Sequence, residues 1–366
     1  MQYLNPNRKL GLSGLMRVKN DAQTLAQSID SCIDALDELI ITYHECTDGS
    51  VQIIENKKLQ YPDKILVIPY PYHVIGVGAT EEEYEYAKTL PVGHPQLLAS
   101  YYNNALQYVN YKYVMKIDAD QIYFTRCLMA LRNYIMEGVH QNRLSRLCGK
   151  FIDEVFCQRR GNKRIWSKYH LLHYLQYILV PLFKKQYVKF AISELLKRNG
   201  YLSLSGVNVL QYDNQWYSPS GCRIDNGSCW LFNGMGDHLI FEADEHTEYL
   251  PWDYISSFGK NVLIERFAYP EEKQRLLLGF YWFHLRPMKE PMYSQLVRYY
   301  KDHPKTLLPV NQLGRIRFYR LIEHLEKDDN YFLLKKTFFG FVYNLDKRAI
   351  IANCKVLLGN VLYVER

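Results

Sequence analysis

A predicted strand that ends in two closely spaced carboxylates constrains this chain more than any other feature. Residues 113–117 (Tyr-Val-Met-Lys-Ile) are predicted to form a buried strand, and Asp118 and Asp120 follow it directly. Carboxylates at such a position lie at the carboxyl edge of a sheet, where ligands bind in open α/β folds. Oxygen ligands of this kind hold a divalent cation that takes its other ligands from a diphosphate. An Asp-x-Asp pair alone is also common in solvated turns, so the surrounding elements decide between the two interpretations.

Strands and helices alternate on both sides of this motif. Strands are predicted at 10–18, 39–43 and 65–68, and a helix is predicted over 94–110. That helix carries apolar pairs every four residues, a spacing that lays one helix face on a sheet. Such alternation is typical of a Rossmann-like, mainly parallel α/β sheet flanked by helices.

The composition narrows the class of protein further. With 366 residues, of which 48% are hydrophobic, the chain is long and apolar enough to bury a full core. The net charge of +7 fits an anionic substrate or membrane surface, but it is too diffuse to indicate nucleic acid as a partner. Eight cysteines without a Cys-x-x-Cys pair, and a start without a signal-peptide core, predict a cytoplasmic protein.

Segment 159–189 bears on membrane association. It has a leucine-rich, aromatic centre with basic residues on both sides, and no run of about 20 apolar residues occurs in the chain. A spanning helix is therefore not expected. The pattern fits either a helix that lies peripherally on the inner face of an anionic membrane or a helical insertion packed on its own domain.

Several motifs follow one another in an order that is informative as a set. The first predicted strand ends in Met-Arg-Val-Lys-Asn at 16–20, and the second is followed by Thr-Asp-Gly-Ser at 47–50. The helix with Asn103 precedes the strand that ends in Asp118-Ala119-Asp120. Much later comes Asn-Gly-Met-Gly-Asp-His at 233–238.

This order resembles the GT-A fold of glycosyltransferases, particularly the family-2-like inverting enzymes, over roughly residues 10–290. The Asp-Gly-Ser and Asp-x-Asp elements match that pattern in order and spacing, whereas Gly-Asp stands at 236–237 where the family usually carries Glu-Asp. The resemblance, with the helical pattern of the later segments, implies a GT-A catalytic domain over 1–300 and a helical C-terminal extension over 301–366. Within the catalytic domain it implies a nucleotide-sugar-binding half at 10–123, a basic and aromatic helical insertion at 142–200 and an acceptor half at 201–300.

The resemblance implies a metal site. Asp118 and Asp120 would hold Mn²⁺ or Mg²⁺ against the diphosphate of the donor, with Asp120 in direct coordination and Asp118 also near the ribose. His284 would complete the metal shell, as a late histidine does in many such enzymes. The alternative for His284 is a packed core residue among aromatic neighbours.

The same resemblance implies further nucleotide-sugar contacts. Asp48 would accept a hydrogen bond from the base, although Asp-Gly-Ser is also an ordinary turn. Arg17 would face the nucleotide or solvent, Asn103 would contact the donor or lie on an exposed helix face, and Arg286 would bind the diphosphate.

An inverting transfer needs a general base that deprotonates the acceptor hydroxyl. Asp237 is the first candidate, since the glycines before it, Gly234 and Gly236, let the backbone approach a substrate. A helix-capping role is its alternative, and Asp244, Glu245 and Asp253 are competing candidates for the base.

The sequence thus predicts a glycosyltransferase (hexosyl- or N-acetylhexosaminyl-transferase) that moves a sugar from a nucleotide-diphosphate donor, first of all a UDP-sugar. The acceptor would be a glycan or lipid-linked glycan in surface polysaccharide or lipooligosaccharide synthesis. A retaining transferase, a sugar nucleotidyltransferase and a non-catalytic binding protein on a degenerate GT-A fold are the alternatives.

Overall fold

The computed structural model describes residues 7–76, 78–157, 170–219, 222–224, 227–229, 231–234, 238–255, 261–268, 273–304, 307–321 and 332–358. Contacts between residues divide the chain into two compact units. The first unit comprises Met1–Thr125 with Leu239–Lys273, and the second comprises Arg126–His238 with Gln274–Arg366. Asp237 and residues 158–169, on which parts of the sequence predictions fall, lie outside the described residues.

The strands of the described ranges are, in chain order, β1 Lys9–Val18, β2 Glu38–Tyr43, β3 Ile65–Pro69, β4 Tyr111–Asp118, β5 Gln121–Tyr123, β6 Gly200–Asn208, β7 Leu210–Tyr212, β8 Gln215–Ser218, β9 Cys222–Ile224, β10 Gly227–Cys229, β11 Phe232–Asn233, β12 Leu239–Glu242, β13 Tyr249–Ile255, β14 Asn261–Phe267, β15 Gln274–His284 and β16 Leu308–Pro309. The α-helices are α1 Ala22–Cys32, α2 Ser50–Gln60, α3 Glu81–Thr89, α4 Leu98–Leu106, α5 Thr125–Glu137, α6 Arg143–Ile152, α7 His170–Leu182, α8 Lys184–Leu196, α9 Met292–Asp302, α10 Val310–Leu313, α11 Phe318–Leu321, α12 Phe332–Asn353 and α13 Lys355–Leu358.

A mainly parallel sheet forms the centre of the first unit. Its strand order is β3-β2-β1-β4-β12, in which the first four strands are parallel and β12 pairs antiparallel with β4. The inner strands are continuous apolar runs with buried side chains, as is typical of parallel strands covered on both faces. In this register Arg17, at the end of β1, lies opposite Asp118, at the end of β4.

An antiparallel hairpin, β13–β14, adds to the first unit and packs against α4. The ring of Tyr102 on α4 stacks on the ring of Tyr249 on β13, with centroids 4.7 Å apart. The hairpin therefore covers the helix that precedes β4.

The second unit joins strands to a larger set of helices. Strand β6 pairs in parallel with β15 and antiparallel with β11, and β16, β8 and β7 form a separate three-stranded sheet. Helix α12 packs on β15 and on α7, while α8 packs on α6 and β6. Rings of Phe232, Phe280 and Tyr343 lie against one another in the buried interior.

The predicted α/β class, the mainly parallel sheet flanked by helices and the helical C-terminal segment are confirmed. The helix predicted over 94–110 is shorter, since α4 covers only Leu98–Leu106. Its amino end is set by Leu97, which is extended and forms a bridge with Ile75. In the described part of the chain, no helix combines the length and the apolar character needed to cross a membrane.

Candidate functional site

The turn after β4 is held in place by two hydroxyl groups of helix α1. Ser28 Oγ donates a hydrogen bond to the carbonyl oxygen of Asp118 at 3.0 Å, and Thr24 Oγ1 donates to that of Ala119 at 2.9 Å. Both hydroxyls lie on the buried face of α1. The backbone that carries Asp118 and Asp120 is therefore fixed at the carboxyl edge of the sheet, and the side chain of Asp120 stays partly exposed.

The carboxylate of Asp118 lies between a cation and an amide. Its Oδ1 is 4.0 Å from an Nη atom of Arg17, and its Oδ2 accepts a hydrogen bond from Gln121 Nε2 at 3.4 Å. The backbone N–H of Asp118 donates to the hydroxyl of Tyr123 at 3.3 Å. Since about a fifth of the Asp118 side chain is exposed (20%), the carboxylate is oriented by its neighbours yet accessible to a ligand.

Arg17 is a permanently charged group beside this carboxylate. Its guanidinium lies 4.6 Å from the centre of the Tyr102 ring, a cation–π arrangement. Burial opposes the charge of Arg17, but the neighbouring Tyr102, Glu265 and Asp118 raise its pKa overall. Among the described residues, no acceptor forms a hydrogen bond with the buried Nε atom of Arg17. The guanidinium therefore keeps hydrogen-bonding capacity that the described neighbours do not use.

A buried ion pair lies beneath the site and was not predicted from the sequence. Lys116 Nζ donates to Glu265 Oε1 of β14 at 3.0 Å, and the two side chains are 4% and 10% exposed. The same ammonium lies 5.2 Å from the centre of the Tyr102 ring, whose other cationic neighbour is Arg17. Lys116 shares a strand face with Asp118, two residues further on. The hairpin β13–β14 is thereby tied electrostatically to the strand that ends in Asp118.

Both carboxylate oxygens of Asp48 accept hydrogen bonds from backbone N–H groups. Oδ1 accepts from the N–H of Ser50 at 2.9 Å, and Oδ2 accepts from the N–H of Ala22, the first residue of α1, at 3.0 Å. Burial opposes the charge of Asp48, but the hydrogen bonds from Ser50 and Ala22 lower its pKa overall. This is the turn role that the sequence left open as an alternative. The exposed carboxylate keeps further lone pairs, so the contact with a base stays a prediction.

Asn103 fastens α4 to the hairpin. Its Nδ2 donates to the carbonyl oxygen of Tyr249 at 2.8 Å, and its Oδ1 accepts from the N–H of Tyr249 at 2.7 Å. Both ends of the carboxamide therefore bind backbone of β13. The donor contact predicted for Asn103 stays untested, and the geometry gives the side chain a structural role in the first unit.

The loops after β2 and β3 are joined by charged groups. His73 Nδ1 lies 2.8 Å from Glu45 Oε2, and its Nε2 lies 3.3 Å from Glu83 Oε1 of α3. Hydrogen bonds from His73 and Lys19 lower the pKa of Glu45 to about 2. Burial and the nearby Lys19 lower the pKa of His44 to about 4. These contacts order the loops that border the carboxyl edge of the sheet.

The remaining predicted site residues belong to the second unit. His284 ends β15, is buried, and has its Nδ1 2.7 Å from Asn208 Oδ1. Arg286 is exposed at the start of a 3₁₀ turn, Arg286–Met288. Asp237, the predicted base, lies outside the described residues.

Two of the competing base candidates are already engaged by neighbours. Asp244 pairs with Lys273 at 3.1 Å, and although burial opposes its charge, hydrogen bonds from Lys273 and Thr247 lower its pKa overall. Asp253 accepts a hydrogen bond from the hydroxyl of Tyr84 at 2.9 Å. Both carboxylates stabilise the hairpin region of the first unit.

Asp118 and Asp120 are the candidate side-chain ligands of a divalent metal ion. In the described ranges, no three His, Cys, Asp or Glu side chains are grouped so that they could hold an ion. Asp118 and Asp120 supply hard oxygen atoms at a partly exposed turn. Mg²⁺ typically binds through one or two carboxylates together with phosphate oxygens and water. The donor set therefore fits a metal that is completed by a diphosphate.

A comparison with protein families bears on the class of enzyme. A family model described as "Beta-1,4-N-acetylgalactosaminyltransferase (CgtA)" matches residues 3–168, a stretch that contains β1 to β4 and the turn with Asp118 and Asp120. Over this stretch the chain is similar to a glycosyltransferase family. The match agrees with the predicted enzyme class, and the strand order of the first unit agrees with the predicted GT-A resemblance. No curated protein matches the chain.

Two solved structures are also similar to this one. TarS of S. aureus (residues 1–349) is 11% identical, with 97% of this chain and 93% of that chain covered and a TM-score of 0.29. Glucosyl-3-phosphoglycerate synthase of Mycobacterium tuberculosis, solved with Mn²⁺, UDP-glucose and phosphoglyceric acid, is 16% identical, with 43% of this chain and 53% of that chain covered and a TM-score of 0.24. The chain thus spans about half the length of that synthase. With TM-scores this low, the fold class rests on the strand order alone.

Proposed function

We propose that this chain is a glycosyltransferase that moves N-acetylgalactosamine from its UDP donor to a glycan or lipid-linked glycan, with inversion and with a divalent metal. The observation that carries the proposal is the fixed turn with Asp118 and Asp120 at the carboxyl edge of the sheet, beside the charged Arg17. The sugar and the β linkage come from the description of the matching family. Because sugars are α-linked in UDP-N-acetylgalactosamine, a β-linked product requires inversion. The product would belong to a surface polysaccharide or lipooligosaccharide.

The sugar-nucleotide donor would be held by electrostatic contacts at the carboxyl edge of the sheet. Asp120 and Asp118 would hold Mn²⁺ or Mg²⁺, which when bound neutralises charge on the departing diphosphate. Arg17, whose side chain is partly exposed, would donate its Nη hydrogens to oxygen atoms of the same donor, since a guanidinium forms bidentate hydrogen bonds with phosphate. His284 and Arg286 stay proposed contacts of the metal and the diphosphate, and Asp48 a proposed contact of the base.

The acceptor reacts through one of its hydroxyl groups. Its oxygen attacks the anomeric carbon, the bond from that carbon to the diphosphate oxygen breaks, and the hydroxyl proton passes to a general base. Asp237 remains the proposed base. Asp244 and Asp253 are poorer candidates because Lys273 and Tyr84 already bind their carboxylates.

A lipid-linked acceptor would place the enzyme at the cytoplasmic face of a membrane. In segment 159–189, Lys184 forms an ion pair with Asp346, so it serves the packing of α8 rather than lipid contact. A more suitable surface is α6, which exposes Leu144, Leu147 and Phe151 at 60%, 59% and 48%. Arg143 and Arg146 are exposed on the same helix, as expected for a helix that lies on anionic lipid.

The test is a donor and product assay with the purified full chain. UDP release is measured with UDP-N-acetylgalactosamine, UDP-N-acetylglucosamine, UDP-galactose and UDP-glucose, with Mn²⁺ or with EDTA, and the configuration of the transferred sugar is read by NMR. We expect metal-dependent use of UDP-N-acetylgalactosamine and a β product. Asp237→Asn should lower turnover by about 10²–10⁴-fold while donor affinity stays unchanged. An α product would contradict inversion, and no use of any UDP-sugar would contradict the proposed donor.

A further inference from the structure

A cavity of about 680 Å³ opens on the second unit, and none of its described lining residues is assigned to the reaction above. It is lined by Gln312, Arg315, Ile316, Arg317, Tyr319 and Arg320, and is called the arginine cavity below. Its volume falls in the range of about 300–1,000 Å³ that is usual for small-molecule sites. The three arginines are exposed, and in the part of the chain that the structure describes no carboxylate pairs with any of them.

The positive charge extends beyond the lining. Lys347 and Arg348 lie on α12, behind the loop that carries Arg317. Burial, together with repulsion from Arg317 and Arg348, lowers the pKa of Lys347. Like charges held this close repel one another, and a bound anion removes that repulsion. Within the described ranges no carboxylate offsets this cluster, so its charge suits an anion of more than one charge.

The loop of the arginine cavity is held rigidly by the residues beneath it. The hydroxyl of Tyr343 lies 2.6 Å from the carbonyl oxygen of Ile316 and also contacts that of Leu313. Phe318 is buried against the Tyr343 ring, with centroids 5.6 Å apart. A Cβ atom at Gly314 would lie 2.5 Å from the carbonyl oxygen of Lys347, so the loop backbone is seated closely on α12. Such a fixed loop loses little conformational freedom when a ligand binds.

We propose that the arginine cavity binds a phosphorylated sugar, which in the cell would be a phosphate-bearing part of the acceptor. Three guanidinium groups match the two charges and three oxygen atoms of a phosphate better than the single charge of a carboxylate. Tyr319, which is 45% exposed, presents an aromatic ring that can pack against a sugar. Gln312 adds an amide that can bind sugar hydroxyls. The link to an acceptor rests on the proposed glycosyl transfer, whereas the binding of phosphate does not.

The experiment is a calorimetric titration of the full chain with glucose 6-phosphate, inorganic phosphate and glucose, in the presence of saturating UDP and Mn²⁺. We expect one saturable site for glucose 6-phosphate, weaker binding of inorganic phosphate and none of glucose. The double variant Arg315→Gln/Arg320→Gln should weaken binding of glucose 6-phosphate by at least about tenfold, since it removes two of the three charged donors that line the cavity.

The matched control is Arg298→Gln/Lys301→Gln, which removes two exposed cations from α9 of the same unit. It should leave the affinity for glucose 6-phosphate unchanged, and circular dichroism should show native helix content in both double variants. Equal affinity of the two double variants, or absence of saturable binding of glucose 6-phosphate, would overturn the proposal. Because UDP and Mn²⁺ are present throughout, and transfer is assayed separately, failure here is distinct from failure of the donor site.

Discussion

The buried ion pair between Lys116 and Glu265 allows a quantitative test of how the first unit holds its site. The substitution Glu265→Gln keeps the shape of the side chain but removes the charge 3.0 Å from Lys116 Nζ. Breaking a buried pair from one side costs about 3–5 kcal/mol, because a buried charge is left uncompensated. The Tyr102 ring, 5.2 Å from the ammonium, still attracts the cation, so we expect a loss near the lower end, about 3 kcal/mol.

The assay is urea unfolding followed by circular dichroism, in which the transition midpoint falls while its slope is unchanged. The matched control is Glu85→Gln, which breaks the exposed pair of Lys88 and Glu85 and should cost less than about 1 kcal/mol. The double variant Lys116→Met/Glu265→Leu should recover most of the lost stability, since apolar replacement of a buried pair is often neutral. The reasoning is refuted if Glu265→Gln costs no more than Glu85→Gln, or if the double variant recovers nothing.

Three further predictions concern pH, packing and lipid. The pKa of His44 lies near 4 in the folded chain and near 6.5 in the unfolded chain, so the free energy of unfolding should fall by about 2 kcal/mol from pH 7 to pH 5 as the unfolded state takes up the proton. This fall should be absent in His44→Gln. Urea unfolding that shows the same fall in that variant would contradict the prediction. Asn103→Ala should lower the free energy of unfolding by about 2 kcal/mol, because it removes two hydrogen bonds to the hairpin, and it should leave the affinity for UDP unchanged. Reduced affinity for UDP in calorimetry would instead support the predicted contact of Asn103 with the donor. Leu147→Glu/Phe151→Glu should lower co-sedimentation with anionic vesicles several-fold, whereas Leu59→Glu, at another exposed leucine, should not. Equal binding of the unmodified chain and both variants would exclude α6 as the lipid surface.

The order of the strands in the first unit was predictable because each signal is local. Apolar runs, the helix between them and the Asp-x-Asp turn lie within a short stretch of sequence, and β1 to β4 match the predicted strands closely. The fixing of the turn by Thr24 and Ser28 was less visible, since these hydroxyls look like ordinary polar positions on a helix.

The contacts that complete the site depend on residues far apart in the chain. Lys116 reads as one polar residue within a strand, and its partner Glu265 is 149 positions away. Asn103 likewise finds Tyr249 at a separation of 146 residues. Periodicity carries no information about such pairs, because it reports only which face of an element is buried. The hydrogen bonds of Asn103 with Tyr249 could therefore not be predicted from the sequence.

The central claim is that Asp118 and Asp120 hold a divalent metal against the diphosphate of a UDP-sugar. Its most direct test is calorimetric titration of UDP, with and without Mn²⁺, into the unmodified chain, Asp120→Ala and Asp63→Ala. Asp63 is an exposed carboxylate in the turn before β3, at the opposite edge of the sheet, and serves as the control. We expect Mn²⁺ to strengthen UDP binding by at least about tenfold in the unmodified chain and in Asp63→Ala, with the enhancement lost in Asp120→Ala. Mn²⁺-dependent binding of UDP that persists unchanged in Asp120→Ala would contradict the account.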